Sequence, residues 1–133
     1  MEHPKLGKLN RILMEHCWEG MVLDQYELYI DDIPAWDEDG NYREALDPDC
    51  EALAIKELED LDGLLTRIEV FLKTASESYL DTWGYREWKL SYFIATKREE
   101  KAVFIVNYFL LQDDYNVWQV CIEQGNPVSI SRR

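Results

Sequence analysis

Positive charge is scarce in this chain, with 14 Lys and Arg against 27 Asp and Glu in 133 residues and a formal net charge of -13. A surface with that deficit repels phosphate backbones and anionic lipid, which excludes direct nucleic-acid or membrane-surface binding and favours a cationic partner. Glycine and proline are also few, 6 and 4 residues, so collagen-like, linker and low-complexity compositions are excluded. The three cysteines, Cys17, Cys50 and Cys121, are widely spaced and form no C-x-x-C pair. Neither a disulfide framework nor a structural zinc site is indicated, and reduced thiols are expected. No apolar run reaches signal-peptide or membrane-span length, so the expectation is a soluble, cytoplasmic protein. What is present is a core: 47% of residues are hydrophobic, with five Trp, eight Tyr and four Phe, enough for one globular domain over 1–133 without a metal or a disulfide.

The charge is lopsided. Residues 1–62 carry 18 acids and 5 bases, whereas residues 63–133 carry 9 of each. Over residues 6–30 the apolar pattern predicts two or three strands, the clearest from Tyr26 to Ile30, with turns at Glu19-Gly20 and Asp24-Gln25. From 31 to 47 the periodicity disappears among Pro34, Gly40 and many acids, which predicts an acidic loop. Then Ala54, Leu58, Leu61, Leu65, Ile68, Leu72, Ala75 and Tyr79 follow one another at alternating spacings of four and three, an apolar helical stripe. Asp47 is a good cap for its start, Pro48 suits the first helical position, and Asp49 and Glu51 complement the dipole. One long helix over 48–80 is therefore expected, with Gly63 its weak point. Period-two runs over 88–131, with turns at 97–101, 112–116 and Gly125-Asn126, predict about four more strands. The fold expected is α+β, an antiparallel sheet with one long helix packed across one face.

Catalytic signatures are missing: there is no G-x-S-x-G elbow, phosphate loop, H-E-x-x-H helix or dinucleotide-binding turn. The only two histidines are His3, near a frayed terminus, and His16, beside Cys17. Neighbours on a strand point to opposite faces, so His16 is not placed to activate that thiol. Aligning Gly40 with the invariant glycine of a calcium-binding loop puts Ala35 and Leu46 where carboxylates are required, so that motif fails. The pairs Asp37-x-Asp39 and Asp47-x-Asp49 keep a metal-dependent hydrolase open as an alternative, and rows of carboxylates would suit a nucleic-acid mimic. No catalytic residue, metal ligand or cofactor is assigned. Trp88 and Trp118 read as sheet or core residues, while Trp18, Trp36 and Trp83 lie near expected turns. The best candidate interface is Trp36 and Tyr42 set among Asp31, Asp32, Asp37, Glu38, Asp39 and Glu44, aromatic anchors with an anionic rim that would attract and hold a basic protein.

The run His16-Cys17-Trp18-Glu19-Gly20, the strand from Tyr26 to Ile30 and the helix beginning after Asp47 resemble, over residues 6–80, a group of uncharacterised bacterial domains with an early Trp-x-Gly turn. Some members of that group look like immunity proteins encoded beside secreted toxins. The resemblance implies a non-enzymatic inhibitor of a basic partner such as a toxin, and it carries no functional residues over.

Overall fold

In a computed structural model the protein is α+β, and its described residues form a mixed sheet of eight strands and two α-helices. The structure describes residues 1–36, 38–40, 42–79, 87–113 and 116–133. A small hairpin of β1 (Glu2–His3) and β2 (Gly7–Lys8) precedes the main sheet. The main sheet contains β3 (Asn10–Ile12), β4 (Cys17–Val22), β5 (Tyr26–Trp36), β6 (Tyr42–Leu46), β7 (Trp88–Arg98), β8 (Lys101–Leu110), β9 (Asn116–Glu123) and β10 (Asn126–Arg132). Its order is β10-β9-β8-β7-β5-β4-β3, with β6 paired to the outer half of β5.

Turn chemistry sets most of the registers. Glu99 and Glu100 both adopt positive φ between the paired residues Arg98 and Lys101, and Gln124 and Gly125 do the same between Glu123 and Asn126. These two-residue loops match the right-handed twist of the strands they join. At the first hairpin Leu23 and Asp24 take positive φ, close to the expected Asp24-Gln25 turn. The expected turn at Glu19-Gly20 is not there: both residues lie inside β4, where Gly20 pairs with Leu28 of β5. A Cβ on Gly20 would come within 2.6 Å of the Leu9 Cδ2 atom, and Leu9 is fully buried. Glycine here makes room for a core leucine.

The stretch 31–47, expected to be a loop, is a hairpin. Asp32 to Trp36 pair with Leu46 to Tyr42 in antiparallel register. The first half of β5 pairs with β4 antiparallel and, over Glu27 to Ile30, with β7 in parallel. The sheet is therefore mixed, because β6 and both helices form a crossover between β5 and β7. At Asp31 the parallel pairing gives way: the Asp31 carbonyl accepts from Asp47 N at 2.9 Å, while its carboxylate accepts from Thr96 Oγ1 and Lys97 N at 2.7 and 2.9 Å. One side chain thus satisfies the strand that is being released.

The expected single helix is two. α1 (Pro48–Glu59) starts as anticipated, with the Asp47 carboxylate accepting from Asp49 N and Cys50 N. It stops at Asp60, where the backbone leaves helical geometry, and α2 (Leu61–Tyr79) begins at once. The break falls before Gly63, whose missing side chain leaves room for the Asp60 carboxylate: a Cβ at Gly63 would overlap it. The break also shifts the apolar phase. Leu64, outside the anticipated stripe, is buried with Ile68 and Leu72, whereas Leu65 only flanks the core.

Both helices cover one face of the sheet. Against them pack Trp18, Leu28, Ile30, Phe93, Ala95, Phe104, Val106, Val120 and Ile122. Fully burying residues such as Phe93 and Phe104 contributes about 1.5–3 kcal/mol each. The far end of the sheet is fastened by polar bonds: buried Glu57 accepts from Gly125 N at 3.2 Å and Arg67 Nε donates to Gly125 O at 2.7 Å. His3, expected to fray, is tied down. Its Nδ1 accepts from Lys5 N and Leu6 N, which leaves Nε2 to donate to Glu51 at 3.0 Å.

Two substitutions test this architecture. Gly20→Ala is expected to destabilise by about 1–3 kcal/mol through overpacking against Leu9, and Asp31→Ala by about 1.5–3 kcal/mol by orphaning the Lys97 amide and the Thr96 hydroxyl. Both should appear as lowered urea midpoints at constant slope.

Candidate functional site

On the face of the sheet opposite the helices Ile105 and Asn107 of β8 are buried, whereas the positions beside them on β4, β5 and β7 are, apart from Cys17, partly or fully exposed. Period-two alternation puts Cys17, Glu19 and Met21 of β4, Glu27, Tyr29 and Asp31 of β5, and Tyr92 and Ile94 of β7 on that face. Glu19 is directly opposite Tyr29, and Met21 directly opposite Glu27. Glu15, from the one-turn 3-10 helix Leu13–Glu15, joins them. Together they form an open groove of about 320 Å³, lined by Tyr29, Tyr92 and Ile94 and by the carboxylates of Glu15 and Glu27.

The two tyrosines set its geometry. Their rings meet edge to face, centroids 5.8 Å apart at 89°. The Tyr29 hydroxyl donates to Glu27 at 2.7 Å. Burial, that hydrogen bond and the carboxylates of Glu27, Glu19 and Glu15 push the Tyr29 phenol well above its ordinary range, so it stays a neutral donor. Tyr92 is an acceptor instead: Arg133 Nη1 donates to its hydroxyl at 2.6 Å. Met21 and Leu23 stand exposed at the end of the β4–β5 hairpin.

The sequence-based candidates separate into three groups. Asp31 and Asp32 are structural: Asp31 holds the fork described above, and Asp32, its side chain only 5% exposed, is paired with Arg11. Trp36 and Tyr42 are brought together as direct cross-strand partners, with Glu44 opposite Pro34 in the same hairpin. Glu38 and Asp39 are exposed in the turn between the strands, and Asp37 lies outside the described residues. Of the tryptophans, Trp18 is a core residue, whose buried Nε1 meets no acceptor among the described residues. Trp88 and Trp118 stack edge to face at 5.9 Å, and Trp83 lies outside the described residues. The groove around Tyr29 was overlooked because its acids are spread over Glu15, Glu19 and Glu27. The signal that could have found it was the polar face of the Tyr26–Ile30 alternation, Glu27 and Tyr29.

Cys17 is buried with Glu15 as its sulfur's neighbour at 4.0 Å, and burial together with Glu15 and Asp31 raises its thiol to about 11. A nucleophilic cysteine requires the opposite shift. Burial and the adjacent Asp47 push Cys50 up to about 12. Among the described residues no three or more His, Cys, Asp or Glu side chains come together to hold a metal ion. Within the Asp47-x-Asp49 pair, Asp47 caps α1 and Asp49 binds Lys97 Nζ at 2.6 Å. No described helix is long and apolar enough to cross a membrane. No protein-family model, curated protein or solved structure matches the chain.

The raised thiols predict an alkaline transition. The fold holds both thiols neutral whereas the unfolded chain ionises them near 9.0, so their contribution is complete below that pH and is lost as pH rises toward 11 and 12. Each thiol should add a slope of roughly 1.4 kcal/mol per pH unit to the decline. Denaturant titrations between neutral and alkaline pH check this, and a Cys17→Ala variant should decline less steeply.

Proposed function

We propose that the protein is a non-enzymatic binding protein, of the immunity-inhibitor kind, that docks a basic protein through the partly exposed β4–β5–β7 region of its sheet and the adjoining β5–β6 hairpin. The observation that carries this reading is the grouping of Glu15, Glu19 and Glu27 round Tyr29, beside exposed Met21 and the Tyr29–Tyr92 pair. An aromatic anchor within an anionic rim combines fast electrostatic capture with a buried contact that slows release. The acids do not all serve this end. Asp31, Asp32, Asp47, Asp49, Glu51, Glu57 and Asp60 are paired with amides or cations of the chain. On the sheet face Glu27 accepts from the Tyr29 hydroxyl and Glu15 is the neighbour of the Cys17 thiol, and exposed Glu38 adds negative charge at the hairpin turn.

The reading is supported by charge and shape, and it leaves the metal-dependent hydrolase and the nucleic-acid mimic without an observation in their favour. Immobilised wild-type protein should retain proteins of basic isoelectric point from lysate at low salt and release them as salt is raised, because rim charges act through screened attraction. The double variant Glu15→Lys with Glu19→Lys should lose that set. Retention of the same proteins by the variant, or a retained set without basic character, overturns the reading.

A further inference from the structure

We propose that the groove beneath Tyr29 and Tyr92 is a subsite for an arginine side chain of the partner, and that Arg133 of the chain itself occupies it in the free protein. This rests on the docking function above and narrows it to one chemical group. Two observations carry it independently of the acidic cluster. The first is that a guanidinium already lines the groove, donating to the Tyr92 hydroxyl at 2.6 Å alongside Glu15 and Glu27. The second is the fit of the walls. Two tyrosine rings at 89°, with Ile94 beside them, offer the aromatic surface on which a weakly hydrated planar cation stacks. Glu15 and Glu27 line the same groove, and their carboxylates are of the type that accepts from the forked N–H donors of an incoming guanidinium.

A lysine ammonium would use the charge but not the planar stacking or the fork, so the groove discriminates in favour of arginine. Arg133 is exposed and reaches the groove from beyond β10, so an incoming side chain displaces one hydrogen bond and no packed core. Self-occupancy lowers the apparent affinity for any external arginine by the fraction of molecules whose groove is filled. It also keeps an anionic aromatic surface from attracting cations indiscriminately before the partner arrives.

The test uses N-acetyl-arginine amide as the probe, its neutral isostere N-acetyl-citrulline amide as the control, and backbone amide chemical shifts as the readout. With Arg133→Gln, the arginine probe should produce saturable shifts centred on Glu27, Tyr29, Tyr92 and Ile94 in the millimolar range. Wild-type protein should bind on the order of tenfold more weakly. Adding Glu27→Gln should abolish most of the response while shifts elsewhere stay those of the folded protein. The proposal is overturned if the Arg133→Gln protein shows no saturable shifts, if citrulline amide binds equally, or if wild type binds as tightly as the variant. Should it be overturned while the Glu15→Lys, Glu19→Lys double variant still loses its basic partners, the docking function stands and only the arginine subsite falls.

Discussion

The carboxylate of Asp31 is the constraint on which the rest of the fold depends. One strand, β5, must pair in parallel with β7 along its first half and antiparallel with β6 along its second. Two neighbours cannot share one edge, so β7 has to leave where β6 arrives, and its amide and hydroxyl at the parting need an acceptor. Asp31 supplies it to Thr96 and Lys97, while its own carbonyl accepts the Asp47 amide. Asp47 then caps α1, and Lys97 binds Asp49 in the first turn of that helix. Sheet, hairpin and helix start are joined within one small polar cluster. Unmet polar groups at such a junction would cost about 1–3 kcal/mol each.

That cluster changes how the excess of acid is understood. A net charge of -13 read from composition suggests one continuous anionic surface. The fold divides the acids by position. Several at strand ends and helix starts pair with amides, with Arg11, with Arg67 or with Lys97, whereas those at alternate positions of β4 and β5 lie on the face opposite the helices. Glu15, Glu19 and Glu27 lie near Tyr29, while Glu38 and Asp39 lie in the turn of the β5–β6 hairpin.

Local signals in the sequence were read well where one interaction decides the outcome. The Asp47 cap, the strand Tyr26 to Ile30 and the strands after residue 88 depend on short-range chemistry, and they stand where periodicity put them. Long-range pairing was not legible. Nothing local distinguishes Asp32 to Trp36 as a strand, because its stability comes from partners at 42–46, and the presence of Pro34 and many acids argued for a loop. Likewise Gly63 is the weak residue of the expected helix, while the backbone leaves helical geometry at Asp60, whose carboxylate sits in the space a Gly63 side chain would take. Gly20 read as a turn residue because glycine usually marks one; here its missing side chain is a space for Leu9, which no neighbour in sequence reveals. Of the candidate site, Trp36 and Tyr42 are near in sequence and are register partners in one hairpin, while the carboxylates round Tyr29 converge only through cross-strand register.

The bonds from Glu57 and Arg67 to Gly125 have an effect beyond local stability. They hold the reversal that leads into β10, the outermost ribbon of the sheet, against the helical layer. Outermost ribbons are where backbone groups stand ready to recruit stray polypeptide and seed aggregates. With its reversal pinned from both helices, β10 resists peeling away, and Pro127 interrupts the row of donors near that pinned end. The two helices that cover one face of the sheet therefore also guard the β10 edge against unwanted self-association.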